Sequence, residues 1–165
     1  MMRRVLILGV LLTASGALAA DHGAVQLEPA HLEGPRPLAQ QTESAVIRDY
    51  LQAWQSLSAA MEQNRPDLLN ENFVGVAKDK LAAAVSEQAK LGVSTQYQER
   101  SHDIKVIFYS PDGLSIQLVD NIEYDEQLLD GGHVITVQPV HARYVAVLTP
   151  TEVQWKVRVL QAEPL

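Results

Sequence analysis

Near Ser94 the spacing of apolar residues changes from three-and-four to two, and that switch limits the possible folds more than any other feature. Upstream, Val46, Ile47, Tyr50, Leu51, Trp54, Leu57 and Met61 recur at helical spacing, placing one broad apolar stripe along about four turns. Thr42 stands where a capping residue is wanted. The helix is expected to stop near Gln63, because Asn64-Arg65-Pro66-Asp67 breaks the pattern and puts a proline in the first turn of a short second helix, Pro66 to Asn70. A third helix is expected from Ala77 to Leu91, with Leu81, Ala84, Val85, Gln88 and Leu91 on one face and Gly92 just beyond its end.

Downstream the alternation reads as strands. Ile104, Val106 and Phe108 alternate with Lys105, Ile107 and Tyr109, and Ser110-Pro111-Asp112-Gly113 forms a turn. Leu114, Ile116, Leu118, Ile122 and Tyr124 line one side of a second strand, which turns at Asp130-Gly131-Gly132. A third strand, His133 to Leu148, carries Val140, Ala142, Tyr144, Ala146 and Leu148 on one side, with a bulge or bend expected at Pro139. Thr149-Pro150-Thr151 leads into a last strand where Val153, Trp155, Val157 and Val159 face together. Helices followed by a meander imply an α+β domain, with N-terminal helices packed on a strongly curved four-stranded antiparallel sheet. Curvature is required because ordinary strands run only about 5 to 6 residues, and these are far longer.

The N-terminus reads as an address. Arg3 and Arg4 precede the apolar run Val5 to Leu12, and Ala17-Leu18-Ala19 is a small-x-small cleavage pattern, so residues 1–19 are expected to be an export signal cut after Ala19. The run is too short to span a bilayer, which takes about 20 residues. The expected product is exported, periplasmic or secreted, with no membrane insertion after cleavage. Residues 20–41, with Pro29, Pro35, Pro37, Gly23 and Gly34, read as a flexible leader, and residues 42–165 as the one folded domain.

Composition removes several chemistries. With no cysteine there is no disulfide, thiolate metal site, iron–sulfur cluster, cysteine nucleophile or lipidated cysteine. Twenty acidic against 13 basic residues argue against nucleic acid or an anionic membrane surface as partner.

Three local features within this element order carry a resemblance. They are the long helix with Tyr50 and Trp54, the segment Phe73-Val74-Gly75-Val76-Ala77 leading into Leu81 and Val85, and the closing Trp155-Lys156-Val157. Over residues 42–162 the chain resembles the nuclear transport factor 2-like (SnoaL-like) superfamily, and the middle segment is similar to that of its non-catalytic extracytoplasmic members. The resemblance implies a cone-shaped α+β fold whose hollow would be lined by Tyr50, Trp54, Leu118, Asp120, Tyr144 and Trp155. It does not choose between enzyme and binding module, since the fold hosts both.

Asp120 is the leading chemical candidate, because alternation points it to the same side as Leu114, Ile116, Leu118, Ile122 and Tyr124. A desolvated carboxylate there would have a raised pKa and could act as a base. The resemblance adds that ketosteroid isomerase-like members use a pocket aspartate. The competing reading is that a bulge turns Asp120 outward, or that it pairs with Arg143 or Lys156. Tyr124 and Tyr144 fall on core faces, where their hydroxyls could act as acid or oxyanion donor or simply bond to backbone. His102 and Asp103 are adjacent on a strand and so point to opposite faces, which excludes them as a base with its orienting carboxylate. His141 and Arg143 mark an exposed face. The acidic residues Asp120, Glu123, Asp125, Glu126 and Asp130 lack the spacing of a calcium loop. Cleavage after Ala19 would leave Ala20-Asp21-His22 as a terminus able to wrap Cu(II) or Ni(II), which makes His22 the one weak metal candidate. No cofactor is expected.

These observations lead to an exported, non-enzymatic domain that binds a small apolar ligand or docks to an envelope protein. The alternative is a small ketosteroid isomerase-like lyase, isomerase or hydrolase using Asp120 with Tyr124 or Tyr144. A third reading is a homodimer formed sheet against sheet through Val145 and Val147 beside His141.

Overall fold

The computed structural model describes residues 34–163. The expected signal 1–19, its cleavage site, His22 and the leader as far as residue 33 lie outside the described residues. Helix α1 spans Gln40–Gln63, a short 3-10 helix spans Pro66–Asn70, and α2 spans Gly75–Lys90. Strands β1 (Val93–Tyr109), β2 (Ile116–Asp130), β3 (His133–Pro150) and β4 (Trp155–Glu163) then form one antiparallel meander in the order β1-β2-β3-β4. The helices lie on one face of this curved sheet, which is the α+β arrangement expected from the periodicity.

Helix α1 supplies the spine of the core. Its stripe buries Val46, Tyr50, Ala53, Trp54, Leu57 and Ala60 against Ile116, Leu118 and Ile122 of β2 and Ala146 and Leu148 of β3. Each large apolar side chain so buried contributes about 1.5–3 kcal/mol. The helix starts two residues before Thr42, with Ala39 in the capping position and no side-chain cap. It ends at Asn64, in the left-handed region at φ 54°, whose side-chain amide donates to the Val93 carbonyl at 2.9 Å. Gln88 of α2 donates to the Asn64 side-chain oxygen at 2.7 Å and accepts from the Thr95 hydroxyl at 2.9 Å. This half-buried polar knot ties the end of α1 to α2 and to the start of β1.

The segment before α2 is stapled to the last strand. Val157 donates its backbone N–H to Asn72 and accepts from Val74, both at 2.9 Å, with Phe73 buried between. Gly75 then opens α2 at φ 55°, a left-handed conformation that β-carbons resist. Helix α2 therefore begins two residues earlier than expected, and Leu91 lies past its end at 69 % exposed rather than on its buried face.

Bulges bend the sheet and exchange faces. Register shifts occur between Glu99 and Ser101 and between Val106 and Phe108 in β1, between Leu128 and Leu129 in β2, and between Val147 and Leu148 in β3. The second of these puts Phe108 outside and packs Tyr109 against the core, the reverse of simple alternation. Pro139 makes no bulge; it stays in register opposite Asp125. It is tolerated because β4 pairs with β3 only from Arg143 onward, which leaves the proline nitrogen a free side to face. Leu114 and Val153 lie in turns, exposed, rather than in strands.

Candidate functional site

Asp120 sits at the centre of the concave face and is fully buried. Its Oδ2 accepts a hydrogen bond from the Tyr50 hydroxyl of α1 at 3.0 Å and meets His102 Nδ1 of β1 at 2.7 Å. The other nitrogen of His102 lies 3.1 Å from Glu99, which also accepts from Ser58 on α1 at 3.3 Å. Glu99, His102, Asp120 and Tyr50 thus form one chain of polar contacts running from the flank of β1 into the core. The register explains it. Ile104 is opposite Asp120 and Ile122 is opposite His102, so His102 and Asp120 are diagonal neighbours on one face. Neither Arg143 nor Lys156 reaches Asp120: Arg143 pairs with Glu163 at 2.9 Å, and Lys156 donates to the Asn70 carbonyl.

Electrostatics lock this chain. Burial of the His102 ring disfavours its cation, but hydrogen bonds to Asp120 and Glu99 and their negative charges outweigh that and push its pKa up to about 9. The hydrogen bond from His102 holds Glu99 below the usual carboxylate range despite partial burial. Burial, then the charge of Asp120, pushes the Tyr50 phenol well up, so it remains a donor. With its pKa so raised, the His102 ring is an imidazolium at neutral pH, held between Glu99 and Asp120, and the Tyr50 phenol closes on the inner of the two.

Aromatic rings fill the space around it. Trp54 meets His102 edge-on at 5.7 Å, Tyr144 edge-on at 5.3 Å and Tyr124 at 6.2 Å, and Tyr97 meets Tyr124 edge-on at 5.3 Å. Burial, then the neighbouring Tyr144, raises the Tyr124 phenol, and burial, then Glu126, raises that of Tyr97. Tyr50, Trp54, Leu118, Asp120 and Tyr124 are each no more than 6 % exposed. They form packed interior, with the half-buried Tyr144 at its rim. Trp155 stands apart: its ring packs on Tyr109, and its backbone N–H donates to the buried Asp49 carboxylate at 2.8 Å. Open hollows elsewhere among the described residues include one along the outer side of α1 by Ile47, Arg48 and Leu51 and one on the convex sheet face by Asp103, Glu123 and His141.

Chemically, the site has a carboxylate, an imidazole and a phenol in contact, the parts of a proton-transfer device. Yet both ring nitrogens of His102 and Oδ2 of Asp120 are occupied by the chain itself. Among the described residues two buried side-chain polar atoms, Asp120 Oδ1 and Trp54 Nε1, have no hydrogen-bond partner. No group of three or more metal-ligating side chains occurs among the described residues. Glu99 and Asp49 were not among the residues singled out from the sequence, and His102 was weighed only with Asp103, a pairing that alternation excludes. The signal for His102 was its parity with Ile104 and Val106, which places it on the face shared with Asp120.

No protein-family model and no curated protein sequence matches the chain. Solved structures do. The intermembrane-space region of the chloroplast protein ARC6 superposes with a TM-score of 0.65 at 16 % identity, covering 79 % of this chain and 100 % of that one. A proposed scytalone dehydratase from Novosphingobium aromaticivorans gives 0.53 at 13 % identity over 76 % and 89 % of the two chains. A proposed dehydratase of the NTF2-like family from Streptomyces avermitilis gives 0.52 at 10 % identity over 74 % and 98 %. The chain therefore has the nuclear transport factor 2-like fold. At these identities the likeness establishes architecture and leaves activity to the site.

Proposed function

We propose that this chain is a non-enzymatic, exported domain that acts by docking to another protein of the cell envelope. The observation that carries the reading is the state of Asp120. Asp120 is fully buried on the concave face, and its Oδ2 is held by Tyr50 and His102. An interior filled by Trp54, Tyr124 and Tyr144 supports docking through an outer surface over binding of a small apolar ligand within. The N-terminal pattern of Arg3, Arg4, the apolar run and Ala17-Leu18-Ala19 supports export. Native mass spectrometry of the chain purified from its own host tests the reading. The bare chain, or the chain with another protein, is expected; a small molecule retained in the domain contradicts it.

A second reading is acid–base catalysis of the ketosteroid isomerase type, favoured by the convergence of Tyr50 and His102 on Asp120. It requires the Trp54–Tyr144 contact to open and admit a substrate. Loss of turnover in Asp120→Asn with the fold intact would establish it.

A further inference from the structure

Strand β3 is paired on both sides only over its second half. β4 covers Arg143 to Pro150, and among the described residues His133 to Ala142 has β2 on one side and no strand on the other. Every residue from His133 to Pro139 is exposed, including Val134 at 49 %, Ile135 at 57 % and Val137 at 53 %. Such an edge presents unused backbone donors and acceptors, and folded chains usually blunt it with lysines or inward charges. Here the one blunting residue is Pro139. Because the register runs without a shift from Thr136 through Leu148, Val137, Pro139 and His141 turn their backbone groups the same way. Pro139 has no N–H to give β2, so that direction is outward. Val137 and His141 thus offer outward N–H groups, flanking the gap Pro139 leaves.

The charge around this edge selects what can lie on it. From Leu114 to Ala142 there is no lysine or arginine, whereas β2 carries Glu123, Asp125, Glu126 and Asp130. Among the described residues only Asp125 has a lysine or arginine partner, Arg100; Glu123 has His141 at 3.3 Å. A strand added to β3 would lie two strand spacings from β2, about 9.5 Å, which is within the screening length of about 10 Å at 0.1 M salt. A second copy of this chain pairing through the same edge would place its own β3 there, and His133 to Ala142 carries no lysine or arginine for the β2 carboxylates to select.

We infer that the open edge of β3 at His133–His141 is a strand-addition site for an extended partner segment that mixes apolar and basic residues. Main-chain bonds to Val137 and His141 supply the register, Val134 and Val137 supply apolar contact, and the β2 carboxylates select the basic side chains. The inference rests on the docking reading above and names where and with what chemistry the docking occurs.

The probe is a short capped peptide of alternating valine and lysine, with the same peptide carrying glutamate for lysine as comparison. The lysine peptide is expected to bind the purified chain, to weaken as salt is raised, and to slow amide exchange at Val137 and His141, which exchange quickly without it. Val137→Pro removes one outward N–H and leaves the β2 ladder intact; it is expected to fold normally and weaken binding about tenfold. Should that variant fail to fold, the exchange measurement on the unaltered chain decides alone. Equal binding of the glutamate peptide, or unchanged binding by a folded Val137→Pro, overturns the inference. So does a Val137 amide already protected in the free chain, or a doubled mass abolished by Val137→Pro, since then the chain itself or a second copy occupies the edge. Failure of the peptide leaves the docking reading standing, whereas a small molecule found by native mass spectrometry removes that reading whatever the peptide does.

Discussion

His102 is the residue on which the interior turns. Its folded pKa of about 9 lies above the unfolded value of 6.5, so its contribution to stability is complete below pH 6.5 and is lost as pH rises through 9. The shift corresponds to at most about 3 kcal/mol. Urea unfolding midpoints are therefore expected to fall between neutral and mildly alkaline pH, and His102→Gln is expected to flatten that fall; an unchanged slope in the variant would place its origin elsewhere. Asp120→Asn keeps the shape and removes the charge. It is expected to cost about 2–3 kcal/mol and to lower the His102 pKa toward 6.5, read by denaturation and by imidazole NMR. A variant that loses neither stability nor the His102 shift would show that the carboxylate does not hold the imidazolium.

Among the elements, the junction between the 3-10 helix and α2 is the most tightly specified. Gly75 holds φ 55°, and a β-carbon there would meet the Arg158 side chain at an ordinary 3.5 Å, so the obstacle is backbone conformation and not space. Gly75→Ala is expected to cost about 1–2 kcal/mol, seen as a lowered Tm with the β4 staple intact. No loss would mean the segment relaxes out of the left-handed region. The helices and strand order were legible in the sequence because burial itself writes the three-and-four and the alternating patterns. Pro66–Asn70 matches the expected short helix, and the α1 stripe supplies Val46, Tyr50, Trp54 and Leu57 to the buried set with Met61 at its margin. Ile47 and Leu51 lie on the outer side, and Asp49, Ala53 and Ala60 complete the buried face. Bulges were not legible. They depend on pairing between distant residues, so Phe108 and Tyr109 exchanged faces and Pro139 needed none. For the same reason the Asp120 burial was visible and its partner was not. Parity placed His102 on the shared face, but only the β1–β2 register makes the two residues diagonal neighbours.

At the scale of the whole molecule, the proposed docking role rests on an interior filled by its own aromatic rings. No described helix is long and apolar enough to cross a membrane. If the proposed export holds, N-terminal sequencing of the protein from its own host begins at Ala20; an intact Met1 would contradict the signal reading. The closed interior itself is open to one direct measurement, because the chain has only two tryptophans. Hydrogen exchange of the two indole N–H groups, followed by NMR, separates Trp54, 2 % exposed at the heart of the cone, from the half-buried Trp155 on its flank. The Trp54 signal is predicted to exchange only at the rate of global unfolding and to stay put when small apolar molecules are added. Exchange as fast as that of Trp155, or a shift on such addition, would mean that the cone is open and built to receive a ligand.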